Sequence, residues 1–321
     1  RVLKVDNIGK INFAISIIGY FQLIARLGIT DFAIKEGAKL KNTDKFKTFC
    51  NEIFSINVIS SVISYIILII CILFSTKLKG YVILLFIQSV SIIFTTLGRE
   101  WLYMIDEDYL YITIRTILVQ IISIVAMFIF VKEPKDYIIY AVISVGASCG
   151  ANILNMVKLQ KFVPLKFKIT SYSKKIIKPI LILFASSISV TIFTNLDTTI
   201  LGITCSDYNV GIYSTSVKIY NILVSVIVSV IYVVLPRMSK LTVKESDRTE
   251  LTMFAKATND LLVTFALPIA VGLIFLAPEV ITVLAGNSYL DAVVSLQILS
   301  MAFFCCVIGT FLGECILLPY N

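Results

Sequence analysis

The chain has 321 residues, 58% hydrophobic and only 15% charged, with a net charge of +8 and no histidine. A soluble domain is usually about 45–50% apolar and about 25% charged. The composition therefore excludes an ordinary cytosolic enzyme, a disordered tail and a DNA-binding module, and the missing histidine excludes any His-based triad, metal site or proton shuttle. The basic residues cluster in short segments between long apolar runs, which is an orientation signal and not a nucleic-acid footprint.

Taken in chain order, nine apolar stretches are long enough to cross a bilayer, which needs about 20 residues each. They lie near 8–28, 49–75, 80–103, 108–131, 136–158, 176–202, 209–235, 253–276 and 290–318. Isoleucine dominates them, yet runs of this length argue for helices that satisfy their own backbone groups, and not for short alternating strands. The expected fold is an all-α polytopic membrane protein. Its seven cysteines (Cys50, Cys71, Cys149, Cys205, Cys305, Cys306 and Cys315) show no CxxC spacing and mostly sit in apolar runs. No disulfide, metal or cofactor is expected.

Alternate connections differ in charge. Arg26 and the lysines through Lys47, Arg99 with Arg115, Lys158 through Lys178, and Arg237 through Lys256 put 20 Lys and Arg on one side. The other side carries 7, at Arg1, Lys4, Lys10, Lys77, Lys79, Lys132 and Lys135. The richer side is expected to be cytoplasmic. Its basic connections suit anionic phospholipid headgroups. The external connections are short, about 13 residues at most, and none houses a catalytic domain.

Residues 7–20, NIGKINFAISIIGY, can be laid on 209–222, NVGIYSTSVKIYNI, and Ala38-Lys39-Leu40 on Ser239-Lys240-Leu241. The offset spans six helices, so orientation is restored and the repeat is parallel. It predicts one helix before Arg1 and two after Asn321. That makes two six-helix bundles around a central cavity, truncated at both ends. The expected domains are 1–158, a basic linker at 159–175, and 176–321.

Several short motifs then fall in a fixed order: Arg26-Leu27-Gly28-Ile29, Lys35-Glu36-Gly37-Ala38, Arg99-Glu100-Trp101, Asn195-Leu196-Asp197, Leu201-Gly202, Val210-Gly211-Ile212-Tyr213-Ser214 and Leu235-Pro236-Arg237-Met238-Ser239-Lys240-Leu241. In order and spacing the chain resembles the bacterial oligosaccharide flippases of polysaccharide biosynthesis. These are the O-antigen and capsule repeat-unit transporters, grouped with the multidrug extruders. The resemblance implies alternating access and an undecaprenyl-pyrophosphate-linked oligosaccharide as substrate. It also implies a bacterial plasma-membrane location and a polysaccharide polymerase as partner, with no catalytic residue of the chain's own.

A charge at the membrane centre costs at least about 2.5–3.5 kcal/mol, so intramembrane ionisable residues are candidates for function. Asp197 and Lys218, roughly 8 and 14 Å deep on consecutive helices, are either a substrate and coupling pair or a structural ion pair. Asp260 and Glu314 lie within apolar runs and are cavity candidates. Arg26, Arg99 and Arg115 sit near inner helix ends, where snorkelling to headgroups competes with a cavity role. Among the amides, Asn195 and Asn221 are candidates for sugar hydroxyls. Gln22, Gln88, Asn12, Asn57 and Asn152 belong to the same set, although hydrogen bonding between helices is the commoner use. Two other readings stay open: a multidrug or cation antiporter, and a membrane-embedded glycan polymerase. The short external loops count against the polymerase.

Overall fold

The computed structural model describes residues 2–159, 167–168, 171–243 and 248–317, and among these there is no strand. Most of the 159–175 linker, Lys244 and the last four residues lie outside the described set. The helices are α1 (Val5–Arg26), α2 (Ile29–Leu40), α3 (Phe46–Phe74), α4 (Thr76–Lys79), α5 (Val82–Gly98), α6 (Glu100–Ile105), α7 (Tyr109–Phe130), α8 (Tyr137–Leu159), α9 (Ser171–Thr204), α10 (Asp207–Val243), α11 (Arg248–Phe275), α12 (Ala277–Leu284) and α13 (Ala292–Thr310). A π-helical turn, Phe311–Leu317, follows α13. Nine spans among the described residues are long and apolar enough to cross a membrane, in the order expected from hydropathy. The chain is an all-α, multi-pass membrane protein.

The described residues form two compact units, 2–210 and 211–317. Helix α9, which the sequence reading placed at the head of the second bundle, packs along α1 in the first unit. The reason is local. Gly202 leaves room for the Phe13 ring, since a Cβ there would sit 1.9 Å from it. Thr199 Oγ1 lies within hydrogen-bond distance of two hydroxyls of α1, Ser16 Oγ at 3.2 Å and Tyr20 Oη at 3.3 Å. Small residues and interhelical hydrogen bonds are what hold helices together where lipid removes the hydrophobic drive.

Helix α1 ends in a left-handed pair, Leu27 (φ 47°) and Gly28 (φ 70°). Any Cβ at Gly28 would also meet the Phe184 backbone N at 2.7 Å, so both conformation and space demand glycine there. The last carbonyls of a helix lack partners within it, and here α3 supplies them. Asn57 Nδ2 and Ser60 Oγ donate to the Ala25 carbonyl at 2.8 and 2.6 Å. One turn further along α3, Ser64 Oγ donates to the Phe21 carbonyl, inside α1 and not at its end, at 2.6 Å. The Asn57, Ser60, Ser64 spacing of three to four residues places all three on one face of α3. Asn57 thus does the structural job expected of most membrane amides.

The second unit is built differently. Its core gathers Ile227, Ile231 and Met238 of α10, Leu262 and Ala266 of α11, and Phe303 and Val307 of α13. Ser216 Oγ, donating to the Ala292 carbonyl at 2.8 Å, is among its few buried polar links.

Candidate functional site

The break after Arg26 opens space beside the C-terminal end of α1. A cavity of about 430 Å³ is lined by α1 (Gly19, Gln22, Arg26), α2 (Thr30, Asp31), α5 (Gln88) and α9 (Ser187, Thr191, Asn195). A second, of about 210 Å³, is lined by Asn57, Thr95, Thr96, Glu100, Trp101 and Asn152. Arg26 and Thr30 line both. Arg26 is exposed, and among the described residues neither it nor Asp31 forms a hydrogen bond or ion pair.

The amides are oriented by their neighbours. Gln22 Nε2 donates to Ser91 Oγ and Asn195 Nδ2 to the Thr191 carbonyl at 3.0 Å, leaving a side-chain carbonyl of each as an acceptor. Gln88 is 7% exposed, and its Nε2 is buried without a partner. A buried donor left unsatisfied costs about 1–3 kcal/mol; Asn12 Nδ2 and Asn155 Nδ2, which line neither cavity, are in the same state. Trp101 is the same case in the smaller cavity: 3% exposed, with Nε1–H unpartnered.

The second wall is fixed by another helix break. Arg99 takes φ 44° between α5 and α6 and lies over the Phe54 ring, 4.1 Å from its centroid. This turns Glu100 and Trp101 toward the cavity. Glu100 Oε1 meets Arg115 Nη2 at 2.6 Å, and Arg115 Nη1 donates to the Ala151 carbonyl at 2.8 Å.

Of the candidates named from sequence, Arg26 and Asn195 come together on the larger cavity. Arg115 does not snorkel: it is 2% exposed, tied to Glu100 and flanked by the Tyr103 and Tyr111 rings at 5.8 and 5.7 Å. Asp197 is exposed on α9 and lines neither cavity. Lys218, Asn221 and Asp260 are exposed and Glu314 half-buried in the other unit, and none of them lines either cavity. Asp31, Thr30, Ser187, Thr191 and Trp101 were missed. Single hydroxyls carry no sequence signal, and Asp31 hid in a stretch read as basic. Close approach at glycine is found for Gly19, Gly150 and Gly202, whereas Gly146 faces open space.

Lys158 Nζ, at the end of the fifth span, reaches Oδ2 of Asp108, which lies between spans, at 3.0 Å. That hydrogen bond holds the Asp108 carboxyl below its ordinary range.

A comparison with known families adds the decisive observation: the model for polysaccharide biosynthesis proteins matches residues 1–242. The chain belongs to this family. The match takes in both helix breaks and every residue of the two cavities. No curated protein and no solved structure matched significantly. A polysaccharide biosynthesis protein with this fold is a multi-pass membrane protein whose polar interior is built from span-forming helices.

Proposed function

We propose that the chain is a flippase, moving an undecaprenyl-pyrophosphate-linked oligosaccharide repeat unit from the cytoplasmic to the outer leaflet by alternating access. The supporting observation is the polar cavity with Arg26 on its wall, inside a bundle of span-forming helices. Sugars and phosphates cross hydrocarbon only where polar groups replace their water. A cavity of this size falls within the range of small-ligand sites and suits part of a glycan headgroup. The protein acts as a transporter in the bacterial plasma membrane with its basic loops cytoplasmic. The two six-helix bundles and their 1–158, 159–175 and 176–321 division belong to this proposal, as does a polysaccharide polymerase that takes up the delivered repeat units.

The test deletes the gene in its host and determines the sidedness of the extracted lipid-linked glycans. Single repeat units trapped on the cytoplasmic face, and released on restoring the gene, are the expected result. Units accumulating on the outer face would indicate a polymerase. No accumulation, with altered drug tolerance, would indicate an antiporter.

A further inference from the structure

Away from Arg26, the larger cavity ends where α9 closes on α1. Beyond Asn195 on the cavity wall, Thr199 meets Ser16 and Tyr20, and Gly202 receives the Phe13 ring. Further along, Tyr81, the residue before α5, stands edge-on to Phe13 with ring centroids 4.9 Å apart. Its hydroxyl donates to Asp207 Oδ1 in the first turn of α10. Tyr81 is too buried to be an aromatic anchor among headgroups. Burial and the neighbouring carboxylate push its phenol up from the ordinary value, which keeps it a donor.

This seam differs from the one between α1 and α3 in what its parting leaves behind. Asn57 and Ser60 of α3 satisfy the Ala25 carbonyl at the end of α1, which has no partner within its own helix. Parting there would strand a buried acceptor. Across the α1–α9 seam each hydroxyl keeps a bond to its own helix: Ser16 Oγ donates to the Phe13 carbonyl at 2.8 Å and Thr199 Oγ1 to the Asn195 carbonyl at 2.9 Å. Gly202 and Phe13 give up packing alone. The Tyr81–Asp207 bond is the charge-assisted link among these contacts, and so the strongest of them. The other end of α9 is held more closely, since a Cβ on Gly28 would lie 2.7 Å from the Phe184 backbone N. Pro179, little more than a turn away in α9, lacks an N–H and gives the helix a place to bend.

Resting on the flippase reading and its alternating access, we propose that the α1–α9 seam is a gate, with the Tyr81–Asp207 hydrogen bond as its latch. Closed, the gate seals the larger cavity from the Tyr81 end. When the latch parts, α9 swings away from α1 about its Pro179–Phe184 segment, and the cavity opens toward that end. Tyr81 and Asp207 touch no substrate in this scheme; they set how often the gate opens.

The experiment follows alkylation by N-ethylmaleimide in the full-length protein, in its host membrane, read by mass spectrometry of peptides. Ser16→Cys places a thiol of nearly the same shape in the seam, where Ser16 is buried, so its labelling rate follows the open population. The native Cys50, fully buried in the cluster with Phe32 and Trp101, is the internal control for general loosening. Tyr81→Phe keeps the ring and removes the hydroxyl. It is expected to speed labelling at position 16 about tenfold, the effect of one hydrogen bond to a charged group, with Cys50 unchanged. Asp207→Ala should do the same, and the two changes together no more than either alone. Asp207→Asn keeps a neutral acceptor and should fall between. A second variant tests the gate itself: Tyr81→Cys with Asp207→Cys, in a Cys205→Ser background, bridged by a short bis-methanethiosulfonate. Bridging should trap repeat units as deletion of the gene does, and reduction should release them.

Equal labelling with Tyr or Phe at position 81 overturns the latch. Equal acceleration at Cys50 also overturns it, because Tyr81 would then hold the fold and not the seam. A bridged pair that still passes repeat units overturns the gate. The labelling is independent of the sidedness of glycans in cells: a latch that behaves as expected, with no repeat units trapped in the deletion strain, would fault the flippase reading and leave the moving seam standing.

Discussion

In the unit of residues 2–210, a Cβ added at Gly202 would lie 1.9 Å from the Phe13 ring, and one at Gly98 2.4 Å from Asn152. In the unit of residues 211–317, Gly272, Gly309 and Gly313 meet nothing within 4 Å. Buried polar side chains divide the same way. The first unit holds Asn12, Asn57, Gln88, Arg115, Asn152 and Asn155 among many, whereas the second has only Ser214, Ser216, Thr258 and Ser300 among its described residues. Helix α1 breaks into α2 at Leu27–Gly28, while α10, which the proposed repeat aligns with it, runs unbroken from Asp207 to Val243. The first unit adds close glycine contacts and buried hydrogen bonds to two apolar clusters, whereas the second rests on one apolar cluster with few of either. Both described cavities lie in the first. A bundle that already keeps amides and hydroxyls in its interior can turn some of them toward a ligand without burying new polar groups from scratch.

The comparison breaks most severely at Arg115. Arg115→Ala leaves Glu100 without its partner and the Ala151 carbonyl without its donor. We expect a loss of about 2–3 kcal/mol in thermal stability, below the range for a fully buried pair because Glu100 is 42% exposed. Arg26→Ala, which removes no ion pair or hydrogen bond among the described residues, should abolish transport with stability within about 0.5 kcal/mol of wild type. Thermal unfolding beside a transport assay separates the two; equal loss of stability would mean that Arg26 is structural.

Gly202→Ala is the next largest. Alanine in a helix ordinarily gains about 1 kcal/mol over glycine, but here the Phe13 ring must move, and overpacking costs about 1–3 kcal/mol. A net loss of up to about 2 kcal/mol is expected. Its counterpart, Gly272→Ala, meets open space and should gain up to about 1 kcal/mol. If both glycines respond with the same sign, the contrast in packing is wrong.

Asp108→Asn should move stability least, because the Lys158 pair is partly exposed and such pairs contribute little. Its sign with pH is still fixed. The folded carboxyl titrates below its ordinary value of about 4, so its contribution is present above that value and is lost as pH falls through the depressed one. A wild-type advantage over Asp108→Asn that grows as the pH falls below 4 would contradict this.

Arg26 and Arg115 show how far the site could be read in advance. Both stand near the end of an apolar run, and nothing in the sequence separates the one that faces a cavity from the one locked to Glu100. Asn57 and Asn195 are a second such pair: one closes the end of α1 while lining the smaller cavity, the other lines the larger. The Arg26-Leu27-Gly28 and Arg99-Glu100-Trp101 motifs were visible as motifs, but that each is a left-handed break forming a cavity wall was not.

The sequence by itself determined the class of molecule and the order of its spans, because about 20 apolar residues in a row have few alternatives to a helix in lipid. Only the tertiary structure decided which polar side chains face inward together. A helix that is apolar on every side carries no preferred face in its sequence. Its rotation is set by particular contacts, such as Phe13 against Gly202 or Ser60 under the Ala25 carbonyl, that join residues far apart in the chain.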